Sequence, residues 1–171
     1  MAEPRIGVLF ICTGNICRSP LAEGIFVHKA TRRGVADRFR VESAGTGGWH
    51  AGELADPRMR QLAENRGVKL VSRARQVRTA DFREFDHLIC MDESHREHLF
   101  SMGAPLKRLR LLLQCDPNAR MLEVPDPYYG GADGFELVFD LVDSACEALL
   151  DQLAAGVTQA TNPRMSADGP P

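Results

Sequence analysis

Residues 5–11, RIGVLFI, form a nearly continuous apolar run rich in β-favouring residues, the pattern of a strand buried on both faces. A polar loop follows, and then SPLAEGIFVHKATRRG reads as a helix. Ser19 is placed to cap it, Pro20 suits its first position, Glu23 falls in the first turn, and Gly34 stops it. FRVESAG (39–45) is predicted as a second strand, and DPRMRQLAENRG (56–67) as a helix with an Asp-Pro start and a glycine stop. FDHLICMD (85–92) gives a third strand, ESHREHLFSMG (93–103) a polar helix and LKRLRLLL (106–113) a fourth strand. From Asp133 the period becomes helical: Phe135, Val138, Phe139, Val142, Ala145, Cys146, Leu149 and Leu153 recur at spacings of three and four.

Strands alternating with helices imply right-handed crossovers and an α/β fold. The expected architecture is an open, mainly four-stranded parallel sheet with helices on both faces. One domain is expected over residues 1–155, with 156–171 as a flexible tail because no periodicity is visible there. Ligands of such folds bind at the carboxyl ends of the strands. The loop after the first strand lies at such a place.

Composition narrows the function. The 171 residues carry a formal charge of -2, which argues against bulk nucleic-acid binding but leaves room for a local positive pocket. No stretch approaches the ~20 apolar residues of a membrane span, and the opening residues lack the pattern of a secretion signal. The five cysteines (Cys12, Cys17, Cys90, Cys115, Cys146) are odd in number and contain no C-x-x-C pair. A disulfide framework and a four-ligand zinc site are therefore disfavoured, and a reducing, cytoplasmic setting is expected. No metal or cofactor is expected.

The loop reads C-T-G-N-I-C-R, residues 12–18, followed by Ser19. Gly14 and Asn15 are suited to left-handed backbone, so the loop can curl and turn successive N–H groups inward. The following helix adds its positive end, and Arg18 adds a planar fork that matches two phosphate oxygens. The result is a phosphate-binding loop with a thiol at its base, where a thiolate is favoured and can attack phosphorus. A second C-x5-R pair, Cys90 with Arg96, has no glycine and places Asp92 and Glu93 where phosphate would sit. It reads as an ordinary buried strand cysteine.

Expelling the leaving oxygen of a phosphate ester requires a proton donor. Three Asp-Pro pairs compete: Asp56-Pro57 reads as a helix cap, Asp116-Pro117 as a plain turn, and Asp126-Pro127 sits in VPDPYYGG beside two aromatics. Asp126 is preferred as the acid, with Tyr128 or Tyr129 as a wall for an aromatic ring.

C-T-G-N-I-C-R-S immediately after the first strand resembles the signature of low-molecular-weight protein tyrosine phosphatases, and the Asp-Pro-Tyr loop after the fourth strand matches it. The resemblance spans roughly residues 5–153. It implies hydrolysis of phosphotyrosine in proteins through a phosphocysteine, with Cys12 as nucleophile, Arg18 as clamp and Asp126 as acid and then base. It implies a pocket made by Thr13, Gly14, Asn15, Ile16, Cys17 and Ser19, flanked by Trp49, Tyr128 and Tyr129. Asn15 and Ser43 would hold the loop, and Ser19 would bond the cysteine sulfur. The implied partners are a phosphotyrosine protein and a tyrosine kinase. Where many members carry a histidine against the loop asparagine, this chain has Ser72, which is too short for that reach. Asn15 is then expected to be held by water or another group.

Rivals share the fold. An arsenate reductase needs further resolving cysteines, and Cys90, Cys115 and Cys146 are widely spaced. A protein-arginine phosphatase typically has threonine where Ile16 stands, and Ile16 offers only apolar surface, suited to a phenol ring. A non-catalytic phosphoprotein-binding module would have lost the cysteine or the acid. Nucleotide binding finds no G-x-x-x-x-G-K-[ST] motif. Cys17 is expected either to trap an oxidised Cys12 as a disulfide, making the protein redox-sensitive, or to be a packing residue.

Overall fold

A computed structural model describes residues 5–129 and 131–160; the side chains of residues 129, 131, 132 and 156–160 are outside the described set. Four parallel strands, β1 (Ile6–Cys12), β2 (Phe39–Gly45), β3 (His87–Cys90) and β4 (Leu109–Leu111), form one sheet in the order β2-β1-β3-β4. The helices are α1 (Arg18–Arg32), α2 (Pro57–Asn65), the short α3 (Asp81–Glu84), α4 (Glu93–Ser101) and α5 (Gly131–Ala160).

The continuous apolar run of β1 is explained by what lies on either side of it. Val8, Phe10 and Cys12 point into a core shared with α1, α2 and α5, where Phe26, Met59, Val138 and Cys146 are buried. Leu9 and Ile11 point the other way, into a second core built from α3, α4 and the sheet, with Phe82, Phe85, Leu88 and Leu99. Alternation with both faces covered is what a strand in the middle of a parallel sheet requires.

The ends of α1 were only half anticipated. Its C-terminus closes as expected: Gly34 takes φ +72, and Val35 N–H returns to the Ala30 carbonyl. Its N-terminus does not use Ser19 as a cap. The helix begins at Arg18, Cys17 is the cap position, and no side chain caps it. The reason lies in the loop, where the Ser19 hydroxyl is already committed to two other partners. The first helical N–H groups are thus kept from internal caps.

Three further departures concern length. The apolar run 106–113 yields only three ladder residues, flanked by 3-10 turns at Leu106–Arg108 and Leu112–Cys115. β3 offers only Leu88, Ile89 and Cys90 as partners, so β4 cannot extend further. The helix α3 was not foreseen; the Asp81 carboxylate accepts the Arg78 N–H at 2.8 Å and starts it. Finally, α5 continues to Ala160, five residues into the segment read as a tail. No proline interrupts it before Pro163, and each added helical residue gains a hydrogen bond without a new nucleation cost. Residues 161–171 are outside the described set.

Candidate active site

Cys12 ends β1 and is 3% exposed, with the loop curling from it towards α1. Asn15 sits at φ +56, the left-handed conformation that its short amide tolerates. The loop backbone is tied to its surroundings: the Thr46 N–H donates to the Cys12 carbonyl at 2.9 Å, Gly47 to Thr13 at 3.0 Å, and Asp56 to Ile16 at 2.7 Å. Gly45, which ends β2, permits this closeness. A Cβ there would lie 2.7 Å from the Thr13 carbonyl oxygen and 3.1 Å from the Asn15 nitrogen.

A directed hydrogen-bond chain runs beneath the loop. The buried Asn15 amide donates to Ser19 Oγ at 2.8 Å and to Ser43 Oγ at 2.9 Å, and its carbonyl accepts the Arg75 N–H at 2.9 Å. Because Ser19 Oγ receives a hydrogen from Asn15, its own hydrogen is available to Cys12 Sγ, 2.9 Å away. Ser43 passes its hydrogen to Glu23 Oε1 at 2.5 Å, and Ser72 also hydrogen-bonds Glu23. Burial raises the Glu23 carboxyl above its ordinary range. In place of a histidine, Asn15 is held by Ser19, Ser43 and the Arg75 backbone, with Glu23 joining Ser43 to Ser72.

Arg18 is 5% exposed. Its Nη1 donates to Asp92 Oδ2 and to the Val124 carbonyl, both at 2.9 Å. Two donations use both hydrogens of Nη1, leaving the guanidinium with three more N–H bonds on Nε and Nη2. Val124 is itself held, its N–H donating to the Met91 carbonyl at 2.9 Å. Burial would raise the Asp92 carboxyl, but bonds from Ser94 and Arg18 outweigh it and hold it below the ordinary range.

Asp92 also caps α4. Its carboxylate accepts the His95 N–H, and its own N–H donates to His95 Nδ1 at 3.1 Å, forming a reciprocal cap. The other ring nitrogen of His95, Nε2, lies 2.8 Å from Thr13 Oγ1 in the loop after β1. Burial lowers the imidazole to about 4, with Arg18 adding to the effect and Asp92 opposing it.

Asp126 lies in the segment between Val124 and the 3-10 turn Pro127–Tyr129, and its Oδ1 accepts the Tyr128 N–H at 3.0 Å. Its charge acts on both Cys17 and His95, so it belongs to the same electrostatic neighbourhood as the loop. Tyr128 makes contacts that its sequence neighbours did not suggest. Its hydroxyl donates to Asp56 Oδ2 at 2.5 Å, and the Arg58 guanidinium stacks on its ring at 5.0 Å and on Phe135 at 4.6 Å. Asp56 caps α2 through the Arg58 N–H, as expected, and also anchors the Asp126 loop. The Tyr129 side chain lies outside the described residues.

Trp49 is 72% exposed and lies over Gly47, where a Cβ would meet the indole at 2.0 Å. Gly14 and Ile16 are half-buried in the loop, and Thr13 is exposed. Cys17 is buried, and burial pushes its thiol well above the ordinary range, helped by Cys12 and Asp56. The decoy Cys90 is fully buried in β3, its thiol pushed up to about 12. Asp116 forms a turn with Asn118 and accepts from Ser144. Among the described residues, no group of three or more His, Cys, Asp or Glu could hold a metal, and no helix is long and apolar enough to cross a membrane.

Sequence reading missed His95, the Val124 carbonyl and the Glu23 bridge, and gave Asp92 no role towards Arg18. One signal was available for the first: Asp92 and His95 stand three apart at a helix start, the spacing of a reciprocal cap.

Residues 7–159 match the family model for low molecular weight phosphotyrosine protein phosphatase. The chain is 42% identical over 153 residues to a low molecular weight protein-tyrosine phosphatase A of Mycobacterium tuberculosis, covering 88% of this chain and 93% of that one. It is similar to the crystal structure of YfkJ from Bacillus subtilis, with TM-score 0.86, 36% identity and coverage of 91% and 99%. It is also similar to the Drosophila arginine phosphatase DARP, with TM-score 0.79, 32% identity and coverage of 85% and 96%.

Proposed function

The chain belongs to the low molecular weight phosphotyrosine protein phosphatase family, and on that premise we propose that it hydrolyses phosphotyrosine in proteins through a phosphocysteine at Cys12. The observation that carries this reading is the chain from Asn15 through Ser19 to the Cys12 sulfur, closed at 2.8 and 2.9 Å beside the start of α1. A hydroxyl hydrogen aimed at sulfur stabilises negative charge there, both before attack and when the sulfur later leaves.

Cys12 Sγ attacks phosphorus while the bond to the tyrosine oxygen breaks. The N–H groups of the loop and the remaining N–H bonds of Arg18 take the equatorial oxygens as their charge develops. Asp126 gives its proton to the departing phenolate. It then removes a proton from water, the resulting oxygen attacks phosphorus, and the Cys12 thiolate is released with inorganic phosphate. The partners of this reading are a phosphotyrosine protein and the tyrosine kinase that modifies it, and five free thiols suit a cytoplasmic setting.

The test compares wild type with Cys12→Ser on phosphotyrosine, phosphoserine and phosphoarginine peptides. Wild type should turn over phosphotyrosine, and Cys12→Ser should bind inorganic phosphate without turnover. Hydrolysis by Cys12→Ser near the wild-type rate would overturn the nucleophile. The name of the Drosophila relative keeps phosphoarginine as the second reading. Ile16→Thr should raise phosphoarginine hydrolysis relative to phosphotyrosine if the apolar Ile16 sets the preference. An unchanged ratio would remove Ile16 from specificity.

A further inference from the structure

His95 is 1% exposed and lies on α4, a helix to which sequence reading gave no chemical role. Both ring nitrogens are engaged. Nδ1 accepts the Asp92 N–H at 3.1 Å, so Nδ1 carries no hydrogen. The hydrogen is then on Nε2, which donates to Thr13 Oγ1 at 2.8 Å. Asp92 in turn holds Arg18 through Oδ2. The two residues so joined flank the phosphate loop: Thr13 follows the nucleophile directly, and Arg18 closes the loop.

We propose that His95 is a positioning residue for catalysis, a strap that fixes Thr13 and Asp92, and through Asp92 Arg18, in one arrangement around the transferred phosphoryl group. The inference rests on the phosphatase reading above. A helix cap alone needs only the Nδ1 contact; the Nε2 contact adds nothing to α4 and reaches across to a loop 82 residues away in sequence. With its oxygen accepting from His95, the Thr13 hydroxyl keeps its own hydrogen for a further acceptor. The groups facing the imidazole are Asp92, Arg18, Asp126 and His98, and its neutral form is the one both hydrogen bonds require. The strap therefore positions without adding charge to a pocket whose cation is Arg18.

Two substitutions separate the strap from the cap. In His95→Asn the side-chain oxygen stands where Nδ1 stood and can accept the Asp92 N–H, but nothing reaches Thr13. In His95→Gln the amide nitrogen stands near the Nε2 position and can donate to Thr13 again. With 4-nitrophenyl phosphate as probe, His95→Asn should lower kcat about three- to ten-fold, the range of one hydrogen bond, while KM stays within about two-fold. His95→Gln should recover kcat to within about two-fold of wild type, and the thermal midpoint of His95→Asn should stay near wild type.

Thr13→Val, at an exposed position, removes the same bond from the other side and should lower kcat equally. The double variant His95→Asn/Thr13→Val should lose no more than either single one. Wild-type kcat in His95→Asn or in Thr13→Val, no recovery in His95→Gln, or losses that multiply in the double variant would each overturn the strap while the phosphatase reading stands. Absence of turnover in wild type would overturn both.

Discussion

Arg18 and Asp92 form an ion pair at 2.9 Å in which the guanidinium side chain is 6% exposed and the carboxylate 21%. The arginine proposed to clamp the phosphate is thus already oriented by a carboxylate on one of its nitrogens. Removing that carboxylate leaves a buried cation with only the Val124 carbonyl on Nη1. Asp92→Ala should lower unfolding stability by about 3 kcal/mol, as expected when one partner of a largely buried pair is deleted. Urea denaturation reads this directly. Asp92→Asn, which keeps an acceptor oxygen, should lose less and retain more activity. Equal losses would mean that charge alone holds Arg18.

The acid assignment is tested by the leaving group. Asp126→Asn should slow phosphotyrosine peptides by about 100-fold, the low end of what a positioned proton donor supplies. It should slow 4-nitrophenyl phosphate far less, because that phenolate departs without protonation. Steady-state kcat on the two substrates gives the comparison. Equal losses would take the acid role from Asp126.

His95 predicts a pH dependence of stability. Its folded value is about 4, against about 6.5 in an unfolded chain. Between those values the unfolded chain binds a proton that the folded one refuses, so stability falls as pH drops from about 6.5 to about 4. The loss is on the order of 3 kcal/mol over the window. Asp92, whose folded value is lowered, contributes stability above its unfolded value that is lost as pH falls through the folded value, below about 4. Glu23, raised by burial, acts in the opposite direction above its ordinary value. Urea titrations at stepped pH should therefore compare wild type with His95→Gln, in which only the His95 contribution disappears. Parallel curves would show that His95 charges freely in the fold.

Peroxide tests Cys17. Oxidation of the Cys12 thiolate to a sulfenic acid can be followed by attack of the Cys17 sulfur, releasing water and forming a disulfide. Burial keeps Cys17 protonated, which slows that attack. Mass spectrometry should find a Cys12–Cys17 link that accumulates over minutes, and Cys17→Ser should recover less activity after a reductant. Equal recovery with no link would leave Cys17 as packing.

What could be read from the sequence was local. The loop 12–18 carries its own glycine, asparagine, arginine and flanking strand and helix, so its place between β1 and α1 and its left-handed residue Asn15 were legible in one short stretch. β2, and the cap of α2 at Asp56, depend on neighbours within a few residues and were placed closely. The contacts of His95 and Arg18 were not legible in the same way. His95 and Thr13 are 82 residues apart, and Arg18 and Val124 are 106 apart. Only the sheet order brings the end of β3 beside the end of β1. Tyr128 shows the same limit: its aromatic ring suggested a pocket wall, whereas its hydroxyl is committed to Asp56, 72 residues away. Ser19 misled in the other direction, since its residue type fits a cap and only the folded loop reveals its two other partners.

The strand order β2-β1-β3-β4 gives β1, the strand that ends at Cys12, a neighbour on each side, paired from Ile6 to Cys12 with β2 and from Val8 to Ile11 with β3. Amides so enclosed exchange with solvent hydrogen only when the whole molecule opens, whereas those of short edge elements exchange through local fraying. Deuterium should therefore enter β1 last, at the rate of global unfolding. Heat inactivation should follow the same course, with no temperature range in which the fold persists and Cys12 has already lost its place.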